Sequence, residues 1–426
     1  MKRLTASLSK LTATASIVSI LTVPTFSVAA PSEVRWSQWK STEVGEKCMS
    51  ELKSAFEKAT PEVNLVLVDS PFTGFHDKAL VLYQAKKLSD VLMVQVDWVA
   101  EFADLGMLEP LDDWIAKEPK SFLENIPFTF HQKWRGKQYY LPVESGAVAL
   151  FYNTEIFKEA GIAGPPKTWD EFAEVARKVT NPEKKIYAVT GTLQSEPPTN
   201  MTYEIYPLIL QASGTLIDEK TNRAVFNSPE GVKAIEWYID RINKDKISVP
   251  GVLSNGEKEK RANFASGNIA MMFEGPWGIA IQRQLNPNLK YDITTLPKGE
   301  TTGTMVRGSL NTVTAQAQDK EAAWKFVRWM SGPEGNAIWA RCTGSFPARH
   351  DVSNQDWFKE KPLFQAFVKQ MELPNARSPF LGMPNAVQMN KIMTTEVQNA
   401  VQGKKTAKQA LDDAAAEWNK ILSSAK

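Results

Sequence analysis

The sequence predicts an α/β protein of two lobes, each a mainly parallel sheet flanked by helices and joined by a hinge of several strands. Three observations carry this reading. Short apolar runs, unbroken at residues 269–273 and interrupted by Gln95 at 91–96, read as strands buried on both faces. Amphipathic helical segments alternate with such runs over residues 31–144. Breakpoints near residues 142–146, 303–313 and 343–347 read as crossings between two domains, so neither domain is one continuous segment.

The elements follow in order. A strand around Val34 precedes a helix over 44–58, which Pro61 stops. Residues 63–68 form a strand and 75–86 a helix; the strand 91–96 and the helix 99–105 come next. After the first crossing, residues 147–152 make a strand, and a short helix over 153–161 closes on Gly161. Thr168 and Glu171 form a capping box for the helix that begins at Trp169. A strand over 186–190, an irregular loop over 194–203 and helices over 204–213 and 229–243 lead to the strand 269–273, taken as part of a parallel sheet. Further strands lie at 291–297 and 303–313. The remainder is helical, at 319–330, 333–341, 388–402 and 406–422.

Three strand-to-helix junctions share a feature. The strand at 33–38 runs into Trp39, the strand at 91–96 into Asp97-Trp98, and the strand at 269–273 into Glu274-Gly-Pro-Trp277. In open α/β sheets ligands bind beyond the carboxyl ends of strands. Indole rings placed there offer flat apolar faces, and three together point to one shared aromatic crevice rather than three unrelated core caps.

Lys2 and Arg3, an apolar stretch over 11–23 and Ser27-Val28-Ala29 have the form of a secretory signal, with cleavage expected after Ala29. No cysteine sits at that point, which argues against a lipid-anchored form. Removal of residues 1–29 takes away three of the 50 basic residues and none of the 48 acidic ones, leaving a net charge of −1. That balance does not suggest a nucleic-acid or membrane-surface binder. Cys48 and Cys342 are the two cysteines, and in an exported protein they are open to a bridge or to two buried thiols.

The sequence carries no phosphate-cradling glycine loop, no dinucleotide fingerprint and no Gly-x-Ser-x-Gly elbow. His76, His131 and His350 lie in no metal-binding spacing. No cofactor, metal or catalytic residue is therefore expected. Asp97, Glu144 and Glu274 stand at strand ends, where carboxylates accept hydrogen bonds from ligand hydroxyls; a paired-carboxylate glycosidase is the rival reading.

Several motifs together resemble the extracellular solute-binding proteins of bacterial ABC importers, in the sugar-binding family that includes the maltose-binding protein. They are Ser89-Asp-Val-Leu-Met-Val, Tyr140-Leu-Pro-Val, Leu150-Phe-Tyr-Asn-Thr-Glu-Ile-Phe-Lys-Glu-Ala-Gly161, Pro166-Lys-Thr-Trp-Asp-Glu-Phe172, Phe264-Ala-Ser-Gly-Asn-Ile-Ala-Met-Met-Phe-Glu-Gly-Pro-Trp277, Thr343-Gly-Ser-Phe-Pro-Ala348 and Gly403-Lys-Lys-Thr-Ala-Lys-Gln-Ala-Leu411. The resemblance spans essentially the whole mature chain and implies the two-lobed periplasmic binding protein fold. Lobe 1 would be residues 30–144 and 306–345, and lobe 2 residues 148–302 and 350–426, with both cysteines in lobe 1.

The resemblance also implies a monomeric, non-enzymatic periplasmic protein that captures a sugar between its lobes and delivers it to membrane permease subunits. Matched by position, Gln38, Trp39 and Ser41 would form one wall, with Asp97 and Trp98 beside them. Glu144, Arg307 and Gly308 would lie at the crossings, Tyr203 and Trp277 would stack on the ligand, and Asn390 would face the cleft. Asn390 replaces an aromatic of the maltose-type binders, which argues against a long maltodextrin. Arg307 suits the alternative ligand class, a polyol phosphate or sugar acid of the glycerol 3-phosphate type.

Overall fold

The computed structural model describes residues 30–127, 130–195, 201–218, 220–378, 380, 383 and 385–424, so the expected signal segment and part of the loop over 194–203 lie outside the described residues. Its strands are β1 (Ser32–Gln38), β2 (Val63–Asp69), β3 (Val91–Gln95), β4 (Leu141–Pro142), β5 (Glu144–Ala147), β6 (Ala149–Asn153), β7 (Ile217–Asp218), β8 (Arg223–Ala224), β9 (Met271–Glu274), β10 (Tyr291–Thr294), β11 (Thr304–Arg307), β12 (Ser309–Val313), β13 (Phe346–Pro347) and β14 (Ala376–Arg377).

The first sheet runs β2-β1-β3-β12-β4. Its first three strands are parallel, as the β/α alternation predicts, and β12 enters antiparallel because it arrives from the second crossing rather than over a helix. Val34 and Trp36 point into the core from β1. The Trp36 indole donates to Asn311 Oδ1 at 3.0 Å and packs against Phe326 and Trp339. Helices Glu46–Ala59 and Pro333–Thr343 cover this core and are joined by the disulfide Cys48–Cys342, with Cα atoms 5.4 Å apart.

The second sheet corrects one expectation. β9 is buried as its apolar run requires, but it pairs antiparallel with β6, and so does β10, in the order β10-β6-β9. β9 and β10 therefore run the same way, linked by the crossover helix Gly278–Leu285. β6, coming from the first crossing, has been laid between them in the opposite sense. A local pattern reports burial on both faces; it does not report which strand fills the gap. Residues 186–190 form single bridges instead of a strand, Tyr187 to Ile269 and Val189 to Ser248. The Thr168 cap accepts from Glu171 N at 3.2 Å, while the Glu171 carboxylate takes the Lys167 N–H at 2.7 Å, one residue earlier than a capping box would.

The three breakpoints meet in one small sheet, β13-β5-β11-β14, between the two halves. β5 and β11 are antiparallel, and β13 flanks β5. The core on one side draws on residues 34–143 and 310–339. The cores on the other side draw on residues between 148 and 305 and on the C-terminal helices, including Ala386–Val401 and Ala407–Ser424. Two bodies with separate cores, joined by short strands, are the arrangement in which hinge motion is the expectation.

Candidate functional site

Beyond the carboxyl ends of β1, β3 and β9, where the two bodies face each other over the linking sheet, lies a narrow cavity. One wall carries Trp39, Lys40, Glu43, Phe72 and Gln95; the opposite wall carries Tyr203, Glu257, Arg261 and Trp277. Glu144, Arg307, Gly308 and Ser309 make the floor, from the strands that cross between the bodies.

Each wall is held by hydrogen bonds that set its side chains. Trp277 follows β9 and opens helix Gly278–Leu285, and its indole N–H donates to Glu274 Oε1 at 2.7 Å. Gly275 is needed there, because a Cβ at that position would come 2.3 Å from the Trp277 ring. Glu274 in turn takes Arg261 at 2.8 Å and Lys260 at 3.3 Å. Burial alone would raise the Glu274 carboxyl, but these two cations outweigh it and hold the group well below its ordinary range. On the other wall, Trp39 packs edge-on against Phe75 and Trp98, with Phe72 alongside.

The floor is equally determined. Glu144 accepts from Ser309 at 2.6 Å, Ser345 at 2.5 Å and the Trp339 indole at 3.2 Å, and pairs with Lys40 at 3.1 Å. Burial pushes the Glu144 carboxyl up, and Lys40 and the serine hydroxyls more than reverse that, so it stays ionised. Gly308 lets two crossing strands touch, since a Cβ there would lie 2.3 Å from the Glu144 carbonyl oxygen. Arg307 is 4% exposed and donates to Gln95 Oε1 at 2.9 Å and to Thr202 Oγ1.

Six of the eleven expected site residues thus line one cavity: Trp39, Glu144, Tyr203, Trp277, Arg307 and Gly308. The other five stand outside its lining. Gln38 and Ser41 bond to each other at 2.7 Å and both bond to Asp69, which draws them to the edge of β2. Trp98 lies behind Trp39, stacked on Phe72 with ring planes 14° apart, so the expected row of three open indoles is two indoles backed by a third. Asp97 and Asn390 meet across the two bodies at 3.4 Å, and Tyr206 donates to Asn390 at 2.7 Å, so these residues join the halves beside the cavity. Burial raises the Asp97 carboxyl despite the nearby positive charge of Arg307. Tyr203 is not a free stacking face either: the Lys260 ammonium sits 3.8 Å from its ring centroid.

Sequence reasoning missed Lys40, Glu43, Phe72, Gln95, Glu257, Arg261 and Ser309. Three of these had a signal. Gln95 ends a strand already marked as pointing at the site, and Glu257 and Arg261 stand one helical turn apart, paired at 2.8 Å. Among the described residues no group of three or more His, Cys, Asp or Glu could hold a metal ion, and no helix is long and apolar enough to cross a membrane.

Comparison with known proteins gives a consistent result. An arabinooligosaccharide-binding protein of Bacillus subtilis is 24% identical over 409 residues, covering 90% of this chain and 92% of its own. The sn-glycerol-3-phosphate-binding periplasmic protein of Escherichia coli is 28% identical over 298 residues, 66% of each chain. An ABC transporter solute-binding protein of Thermotoga lettingae, solved with α-D-tagatose, is 25% identical and superposes with a TM-score of 0.84 over 92% of this chain and 100% of its own. The family described as bacterial extracellular solute-binding protein matches residues 39–337. A cleft between two bodies, joined by crossing strands and walled by aromatic and charged side chains, is thus set in a chain that belongs to the bacterial extracellular solute-binding proteins.

Proposed function

We propose that the protein is the carbohydrate-binding component of an ABC import system, exported by a cleaved signal segment, working as a monomer outside the inner membrane and handing its ligand to permease subunits. The ligand is held between lobe 1 (30–144 and 306–345) and lobe 2 (148–302 and 350–426), and closure about the crossing strands encloses it. The single observation that carries this reading is the convergence of Trp39 and Trp277, from opposite bodies, on one cavity floored by Glu144 and Arg307. Indole faces suit the apolar face of a sugar ring, and the surrounding carboxylates, amides and guanidinium groups suit its hydroxyls. The ligands named for the relatives, an arabinooligosaccharide and tagatose among them, support the same class.

A ligand that touches both walls favours the closed form by its differential affinity for it. Micromolar binding needs about 8 kcal/mol, within the reach of one or two stacked rings and a few buried hydrogen bonds. The electrostatics oppose a glycosidase. Such an enzyme needs one carboxyl kept protonated as general acid, whereas Glu144 and Glu274 are both held ionised by their cations, and Asp97, whose carboxyl burial raises, stands outside the cavity lining.

The test is titration calorimetry across mono-, di- and oligosaccharides, with small-angle scattering on the same samples. A sugar that binds, reduces the radius of gyration and loses at least 100-fold in affinity in Trp277→Ala upholds the reading. Binding that is indifferent to Trp277→Ala, or no carbohydrate binding at all, overturns it.

A further inference from the structure

We infer that the carbohydrate taken by this cavity is a small acidic one, one or two rings or an open polyol chain, whose carboxylate or phosphate is received by Arg307 at the floor; the inference rests on the cavity being a sugar site. Four cations stand in or against the cavity. Lys40 is paired with Glu43 and Glu144 at 3.1 Å each. Arg261 is paired with Glu257 and Glu274 at 2.8 Å each, and Lys260 with Glu274 at 3.3 Å. Arg307 differs: among the described residues its guanidinium bonds only to the neutral side chains of Gln95 and Thr202 and makes no ion pair.

A buried charge is costly unless an opposite charge or strong hydrogen bonds meet it. A guanidinium has five N–H donors in a planar fork, and two bonds to neutral acceptors leave most of that capacity unused. The geometry the fork matches is that of a carboxylate or phosphate. No lining carboxylate is free to serve. Glu144 is bound by Lys40, Ser309, Ser345 and Trp339, and Glu257 by Arg261. Asp97, which feels the charge of Arg307, lies outside ion-pair distance and is turned towards Asn390. The counter-ion place beside Arg307 is therefore open to a ligand, on a floor made more positive by Lys260 across the Tyr203 ring.

Size sets the other half of the inference. The cavity is narrow in this arrangement, its walls brought close by contacts between the two bodies. The Asp97–Asn390–Tyr206 contacts join the halves beside it, where a longer saccharide would otherwise extend.

Calorimetry on matched ligands tests this: D-galactose against D-galacturonate, D-glucose against D-glucuronate and D-gluconate, and glycerol against glycerol 3-phosphate, with inorganic phosphate alone as a further arm. The expected result is that at least one acid binds about tenfold or more tighter than its neutral parent. The carboxylate and phosphate arms then show which anion is read. In Arg307→Gln that preference collapses, and in Arg307→Lys, which keeps the charge without the fork, it is partly retained; circular dichroism on both variants shows that the fold persists. Neutral sugars that bind as well as or better than their acids overturn the inference while leaving the sugar-binding reading intact, as does an acid preference that survives Arg307→Gln. If no sugar and no sugar acid binds, both readings fall together.

Discussion

The ammonium of Lys40 stands 3.1 Å from the carboxylate of Glu144, and the two side chains are 3% and 2% exposed, so the pair is almost sealed from water. It links the strand end beside Trp39 to the first crossing strand, and the ammonium lies 5.8 Å from the Trp277 ring centroid on the opposite wall. Lys40→Met leaves the Glu144 carboxyl buried without its cation, and breaking a buried pair costs about 3–5 kcal/mol. The expected outcome is a lower unfolding midpoint in urea, partly restored in the double variant Lys40→Met/Glu144→Gln. The pH dependence has a definite sign. The depressed Glu144 contributes stability above the ordinary carboxylate range that is lost as pH falls through its folded value. Burial lowers Lys40, but Glu144 and Glu43 raise it further, so its share is lost only as pH rises through a value above the ordinary lysine range. Acid titration of the wild type should therefore show a loss that the double variant lacks.

Gly275 is the spacer that seats the Trp277 indole, with room for no Cβ. Gly275→Ala should push the ring off its hydrogen bond with Glu274 and weaken ligand binding by about tenfold or more, which is 1.4 kcal/mol or more. Far-ultraviolet circular dichroism should be unchanged, since the displaced ring belongs to the cavity wall. Unaltered affinity would mean that the indole position does not matter to the ligand.

The Cys48–Cys342 bridge spans 294 residues of sequence and ties the helix after β1 to a helix that enters the first body only after the second crossing. Its loss, by reductant or by Cys48→Ser with Cys342→Ser, should cost about 2–5 kcal/mol of stability. Thermal unfolding with and without dithiothreitol measures this, and the double serine variant should be insensitive to the reductant.

Asp97 meets Asn390 across the two bodies, and burial raises its carboxyl in this arrangement against the pull of Arg307 and His76. Opening would hydrate it and return it to the ordinary range. Closure should thus be favoured at low pH and lose that contribution as pH rises through the raised value. Asp97→Asn removes the cost of a buried charge. Small-angle scattering of the ligand-free protein at pH 7 should show a smaller radius of gyration for the variant than for wild type, with less change on acidification.

Much of the cavity could be read one junction at a time. Trp39 and Trp277 follow short buried strands, and Glu144 and Arg307 sit at chain crossings marked by Pro and Gly. What could not be read is which neighbours reach the gap first. Gln38 and Ser41 were drawn away by Asp69, and Trp98 by Phe72, partners that no local spacing announces. Lys40 is adjacent to Trp39 in sequence, yet its place in the cavity depends on a carboxylate more than a hundred residues later.

The sequence by itself determined the α/β alternation, the three crossings and the aromatic strand ends, because burial, turn formation and helix capping act over a few residues at a time. The tertiary structure alone decided that β6 lies between β9 and β10, that five expected wall residues stand outside the cavity, and that Arg307 is the lining cation left without a carboxylate among the described residues. Those outcomes depend on competition for partners between segments far apart in the chain, and the winner is settled by packing and charge in three dimensions rather than by any local pattern.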